Sequence, residues 1–413
     1  MKNNKGITLV ALVVTIVVLL ILAGVSINLV LGNNGIIAKA KDAETKSAEA
    51  SQNDLKGMNG LVSEMEGALA GNGSTGSGSG NGGAGGSGAD TKVPAEATAE
   101  TAPYFPDNTF TKKEGTIDTG LVIQDASGNE YVWVVVPRTT AVYKTTGLGK
   151  TTFTDADYTS IENDLKEYTK TYRGSTSYSD TWYADDKNEG WLSETEYKTL
   201  KNSMLKSVYE NGGFYVGRYE AGIETTGTNR TSNTDKNSDG KYIMPSIAPV
   251  TKADAYPYTY VTRTQAQNLA SNVNSGTKTS SLMFGVQWDL VLAFMHNKGN
   301  IEDSTLTSNS TTIGNYKNNL WTIKNAKAQY SEDDGDTFTA CPNPFKKESE
   351  SEILLTTGAD SSFSVQNIYD IAGNVWKFTL ERSPYTNVLC ARRGGGFNVT
   401  GSDYPAAVSY THL

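Results

Sequence analysis

Apolar and polar positions follow three successive regimes along the chain. Ile7–Leu31 is 25 residues without a charge, about 37 Å as a helix and long enough to cross a bilayer. In the next stretch, up to Ala70, Leu55, Met58, Val62, Met65 and Leu69 are spaced 3, 4, 3, 4. That seam predicts an amphipathic stalk helix, but two heptads broken by Gly57, Gly60 and Gly67 fall short of a coiled coil. From Gly71 to Pro103 almost no side chain is apolar and larger than Ala. Such a segment cannot bury enough surface to offset its ordering entropy, so it reads as a disordered Gly/Ser-rich linker. Its first 18 residues span about 23 Å root-mean-square as a coil.

From Tyr104 onward the pattern becomes short and mixed. Leu121–Pro137 (LVIQDASGNEYVWVVVP) predicts a hairpin, two apolar runs around a turn-forming DASGNE. Gly212–Gly222 (GGFYVGRYEAG) alternates as a strand does. Thr262–Val273 reads as a helix with Thr near its start, and Gly285–Asn297 as a second helix with a broad apolar face. Asn367–Thr379 and Arg392–Asn398 are Gly-punctuated strand or turn segments, while Tyr143–Leu205 reads as a polar insertion with some helix.

Composition narrows the function. A net charge of -9 and a pI near 5.0 argue against nucleic acid as a partner, because phosphate contacts rely on Lys and Arg clusters. Twenty-two Tyr, 11 Phe and six Trp favour an aromatic, loop-rich head over a helical bundle. Cys341 and Cys390 allow one disulfide at most. Lys2 and Lys5 precede the apolar run, which leaves the N-terminus in the cytoplasm and sends the remainder outward.

The opening MKNNKG-ITLVAL resembles the class III leader of type IV pilins and pseudopilins. The resemblance implies cleavage between Gly6 and Ile7 by a prepilin peptidase, methylation of the new N-terminus and retention of the helix as a membrane anchor. Ile7 stands where the family usually has Phe, and Ala11 where it has the Glu that guides subunit assembly. The resemblance therefore implies membrane anchoring, while the missing Glu counts against association with pilin-like subunits.

The head resembles the formylglycine-generating-enzyme (sulfatase-modifying factor) domain, a variant of the C-type lectin fold. The likeness rests on EYVWVVVP, GGFYVGRYEAG, the helix around GVQWDLVLAF, and two signature phrases. These are Gly373, Asn374, Val375, Trp376, Lys377, Phe378 and then Arg393, Gly394, Gly395, Gly396, Phe397. Glycines there suit tight backbone paths, and Trp376, Phe378 and Phe397 are expected to fill the core. In the enzymes of this family a copper-binding cysteine pair lies beyond the Arg-Gly-Gly phrase; both cysteines here precede Arg393. Related iron enzymes use three histidines, and the chain has two, His296 and His412. His296 reads as a helix-end residue. Calcium is the one metal the sequence suggests, at a half-motif of Asp235, Asn237 and Asp239 whose twelfth position is Ser246 instead of Glu. A Glu that helps bind calcium in the related enzymes is replaced by Lys377, which implies loss of that site.

The last seven residues, Ala407–Leu413, resemble translated sequencing adapter, which implies that the native head continues past Ala406 and that its closing strand is missing. The expected architecture is α+β: leader 1–6, pilin-like helix and stalk 7–70, linker 71–103, lectin-like head 104–406 and a foreign tail 407–413. The expected function is non-catalytic capture of an extracellular ligand at the bacterial cell surface by an adhesin- or receptor-like head. In a sharper version the head is a target of a diversity-generating retroelement, with Tyr404 and NVTGSDYP opening its variable surface. The alternatives are a minor pseudopilin, and a tethered oxidase should the missing C-terminus supply a cysteine pair.

Overall fold

A computed structural model of the chain describes residues 105–106, 109–173, 178–185, 190–231, 236–238, 240, 242–273, 278–385 and 390–411. The leader with Gly6 and Ile7, the apolar helix, the stalk and the whole linker lie outside these residues, as do Asp235 and Asp239. Among the described residues no helix is long and apolar enough to cross a membrane. The head is a mixed α+β structure of small antiparallel sheets joined by long loops.

Its first sheet contains β1 (Thr111–Glu114), β2 (Val122–Gln124), β3 (Glu130–Val135) and β4 (Gly213–Gly217) in that order. The hairpin predicted over Leu121–Pro137 is β2–β3. Asp125 closes its turn, its Oδ1 accepting the backbone N–H groups of Ser127 and Asn129 at 2.9 Å each, while Gly128 takes a φ of 85°. An Asx side chain that substitutes for backbone acceptors in this way fixes the register of the flanking strands. Val122, Ile123, Val132 and Val134 are then fully buried.

Between β3 and β4 run α1 (Asp155–Tyr168), α2 (Lys170–Arg173) and α3 (Glu194–Asn211). The two longer helices open with capping boxes, Thr154 with Asp157 and Ser193 with Glu196, which satisfy N–H groups that have no intrahelical acceptor. Gly212, at φ 71°, ends α3 and turns the chain directly into β4. This segment is not the insertion its polar composition suggests. Tyr143, Ile161, Leu165, Tyr172, Tyr197 and Leu205 all belong to the main hydrophobic core.

The axis of that core is α5 (Gly285–Gly299), which follows α4 (Arg263–Ser271) and precedes α6 (Asp303–Thr307). Both longer helices fall where the sequence predicts them, and Thr262 caps α4 by accepting from the Gln265 N–H. Val286 and the continuous run from Trp288 to Met295 are buried, so α5 is surrounded by protein rather than lying on its surface.

The remaining strands are short. β5 (Gly222–Ile223) pairs with β6 (Tyr256–Pro257), and β7 (Thr322–Ile323) with β10 (Phe345–Lys346). β8 (Gln329–Ser331) lies between β9 (Thr339–Ala340) and β11 (Leu354–Leu355), and β12 (Ser364–Val365) pairs with β13 (Ile368–Tyr369). A satellite core of Trp321, Ile323, Cys341, Leu355 and Phe363 lies beneath this loop-rich part. The closing sheet joins β14 (Lys377–Arg382), β15 (Cys390–Arg393) and β16 (Ser409–Thr411). Residues of the segment expected to be foreign thus form its third strand, and Ala407 is buried.

Candidate ligand site

The two signature phrases converge in space. The Gly373 N–H donates to the Gly394 carbonyl at 2.7 Å, and φ is 70°, 86° and 71° at Gly373, Gly394 and Gly395. A Cβ on Gly373 would lie 2.3 Å from the Asn315 carbonyl oxygen, so glycine is needed there for space as well as conformation. Asn374 is buried with a complete set of partners. Its Oδ1 accepts from Asn315 Nδ2 (3.0 Å) and Leu355 N–H (3.1 Å), and its Nδ2 donates to Glu220 Oε2 (2.7 Å) and the Leu355 carbonyl (3.1 Å). The Val375 N–H donates to Glu220 Oε1 at 3.2 Å.

Arg393 is fully buried at the centre of an ionic cluster no local motif reveals. Its Nε and Nη2 donate to the two oxygens of Glu381 at 2.8 Å each, and its Nη1 to Asp289 Oδ1 (3.1 Å) and the Ala407 carbonyl (3.0 Å). Arg173 binds the same two acids, Asp289 through Nε at 2.7 Å and Glu381 through Nη1. Beside them Asp180 accepts from the Gly285 and Val286 N–H groups (2.6 and 3.0 Å), supplying the cap that Phe284, at the N-cap position of α5, cannot. Burial works against the charge on Glu381, but the guanidinium groups hold its carboxyl well below the ordinary range. Burial raises Asp289 to about 6 against the pull of the same two arginines, and it also raises Asp180. No member of the cluster lines either of the two cavities described below. Its shifted acids therefore hold α2, α5, β14 and β15 together without access to a ligand.

Trp376, Phe378 and Phe397 depart from the expectation that they fill the core: all three are only half-buried. Trp376 and Phe378 line a cavity of about 600 Å³ between β3, β4, α4, the start of α5 and the chain from Ile368 to Phe378. Trp133, Tyr215, Tyr258 and Tyr369 contribute further aromatic wall, with Trp133 and Tyr215 packed edge to face at 4.9 Å. Gly213 makes room for this pair, since a Cβ there would come within 2.6 Å of the Trp133 ring. Trp376 also contacts the Tyr404 and Tyr410 rings (5.1 and 5.5 Å) and lies under the Arg392 guanidinium at 4.3 Å. An aromatic strip with one arginine thus borders the cavity, the residue types that dominate binding energy at protein surfaces. A second depression, about 900 Å³ between 223–228, 244–252 and the end of α4, contains no signature residue.

Lys377 sits where the resemblance implies a calcium ligand, its ammonium donating to Glu220 Oε1 at 2.6 Å and to the Gly373 carbonyl at 2.7 Å. The lysine charge thus occupies an acceptor set that would otherwise suit a cation. At the other calcium candidate only Asn237 is described; its carbonyl accepts from the Gly240 N–H at 3.0 Å, an ordinary turn. Among the described residues no cluster of His, Cys, Asp and Glu could hold a metal. Cys341 and Cys390 are unpaired thiols, and burial raises the pKa of both, Cys341 to about 11. His296 lies in the last turn of α5, with its Nδ1 2.8 Å from the Ile301 carbonyl. Comparison with known families, with characterised proteins and with solved structures finds no significant match to the chain.

Proposed function

We propose that the protein is a cell-surface receptor: an N-terminal apolar helix holds it in the membrane, and a head without catalytic function captures an extracellular ligand. The observation that carries this reading is the cavity of about 600 Å³, whose wall is largely apolar, rich in aromatic side chains and carries few charged groups. That is the usual composition of a small-molecule site, with apolar area for affinity and a few polar groups for orientation. Ligand-observed NMR of a fragment and oligosaccharide library against the full chain in detergent tests it. Hits should disappear in an Ala270→Trp variant, which fills the cavity from α4. Identical hit lists for the two proteins would exclude the cavity as the site.

The retroelement-diversified version draws support from the chain after Arg393. Asn398, Ser402 and Asp403 are exposed, and Tyr404 packs on Trp376 at the cavity's border. Variation there would change recognition without touching the ionic cluster. Long-read sequencing of the gene's 3′ end across a source population should find substitutions clustered beyond codon 393, at adenine positions of a template copy; an invariant end would rule this version out.

A further inference from the structure

Four charged side chains line the aromatic cavity: Glu220, Lys377, Asp370 and Lys278. Glu220 and Lys377 neutralise each other at 2.6 Å, and Glu220 is saturated by Asn374 and Val375 as well. Lys278 lies over the Phe110 ring at 5.5 Å. Asp370 is the fourth. It is 2% exposed, its Oδ2 accepts the Gly358 N–H at 2.7 Å, and its Oδ1 has no hydrogen-bond partner among the described residues. Asp370 lines the cavity, so a ligand there can bring a donor to the oxygen that the protein leaves without one.

We propose that the cavity takes a small primary amine with an apolar body, the ammonium donating to Asp370 Oδ1 while the aromatic walls pack around the rest. The inference rests on the receptor reading and narrows its ligand class. An ionised Asp370 favours an ammonium over a hydroxyl, because a charge-assisted hydrogen bond is stronger than a neutral one. Aromatic faces add to this preference, because their quadrupoles attract cations. Burial, followed by the neighbouring Glu220 charge, raises the empty-site Asp370 to about 8, against the Gly358 N–H and Lys377, which lower it. An ammonium must then displace a proton at neutral pH, so amine binding releases protons, and its affinity rises as pH increases from 6 towards 8.

Titration calorimetry on the full chain in detergent micelles, with phenethylamine and the uncharged 2-phenylethanol as probes, tests this. At pH 7, in two buffers of different ionisation enthalpy, the amine should bind about tenfold tighter than the alcohol and release protons. Asp370→Asn preserves the Gly358 contact and should abolish the amine preference. Ala270→Trp should abolish binding of both. Two probes bound equally by the wild type and lost together in Ala270→Trp would overturn the amine inference and leave the receptor reading standing. An amine preference that survives Asp370→Asn, or no binding of either probe, would also overturn it. In the last case the receptor reading falls only if the library screen is empty too.

Discussion

Arg393 and Asp370 show how differently two buried charges act within one head. Arg393 is held by two carboxylates, so removing it leaves Glu381 and Asp289 with Arg173 as their one remaining cation among the described residues. Breaking a buried pair from one side costs about 3–5 kcal/mol, much of it from the charge left behind. Arg393→Leu should therefore lower the urea midpoint sharply, and Glu381→Leu in the same chain should restore part of the loss. Additive losses from the two changes would mean that the pair is not coupled. Asp370 is destabilising when ionised. Its folded pKa lies above the ordinary carboxylate value, so the folded state holds the extra proton between about pH 4 and 8 and stability falls as pH rises through that window. Asp370→Asn removes this penalty. The variant should melt above the wild type at pH 8 to 9, with the gap closing towards pH 4; a gap independent of pH would point to a cause other than titration.

At the scale of elements, α5 is the part on which the others depend. Gly285 opens it because no side chain fits: a Cβ would lie 2.3 Å from Glu381 Oε1 and 2.6 Å from Arg173 Nη2. Gly285→Ala should cost about 1–3 kcal/mol by forcing the ionic cluster apart. Thr262→Ala, which removes the cap of α4, should cost about 1 kcal/mol. A reversed order of the two in thermal melts would show that the cluster is more plastic than its burial suggests. These helices, and the β2–β3 hairpin, are legible in the sequence because each carries a local signal: the Thr262 cap, the apolar run of α5, the Asp125 turn. The stretch from Tyr143 to Leu205 carries the opposite signal. Six core residues are diluted there by Thr, Asp and Lys, and only tertiary packing shows which face is buried. The site divides in the same way. Gly373, Gly394 and Gly395 can be recognised as backbone positions, whereas the cluster joins Arg173, Asp289, Glu381 and Arg393 across more than 200 residues of sequence and leaves no spacing to find. Trp376 and Phe378 look like core because large aromatics usually are, and nothing local to them indicates a cavity on one side.

For the whole molecule, the proposed receptor separates recognition from reach. The head's chemistry lies within the cavity and its border, while the composition of 71–103 and the apolar run of Ile7–Leu31 bear on where the head can act. Deleting Gly71–Gly88 removes residues whose coil dimension is about 23 Å. The described residues that line the cavity all belong to the head, so the affinity of the solubilised chain for a small ligand should not change. Capture of a multivalent, ligand-coated bead by intact cells should weaken, because effective concentration at a surface depends on how far each tethered head can travel. Paired measurements, calorimetry in micelles and bead retention on cells, separate the two effects. Loss of affinity in micelles would mean that the segment belongs to the binding unit, and unchanged bead retention would show that reach does not limit capture.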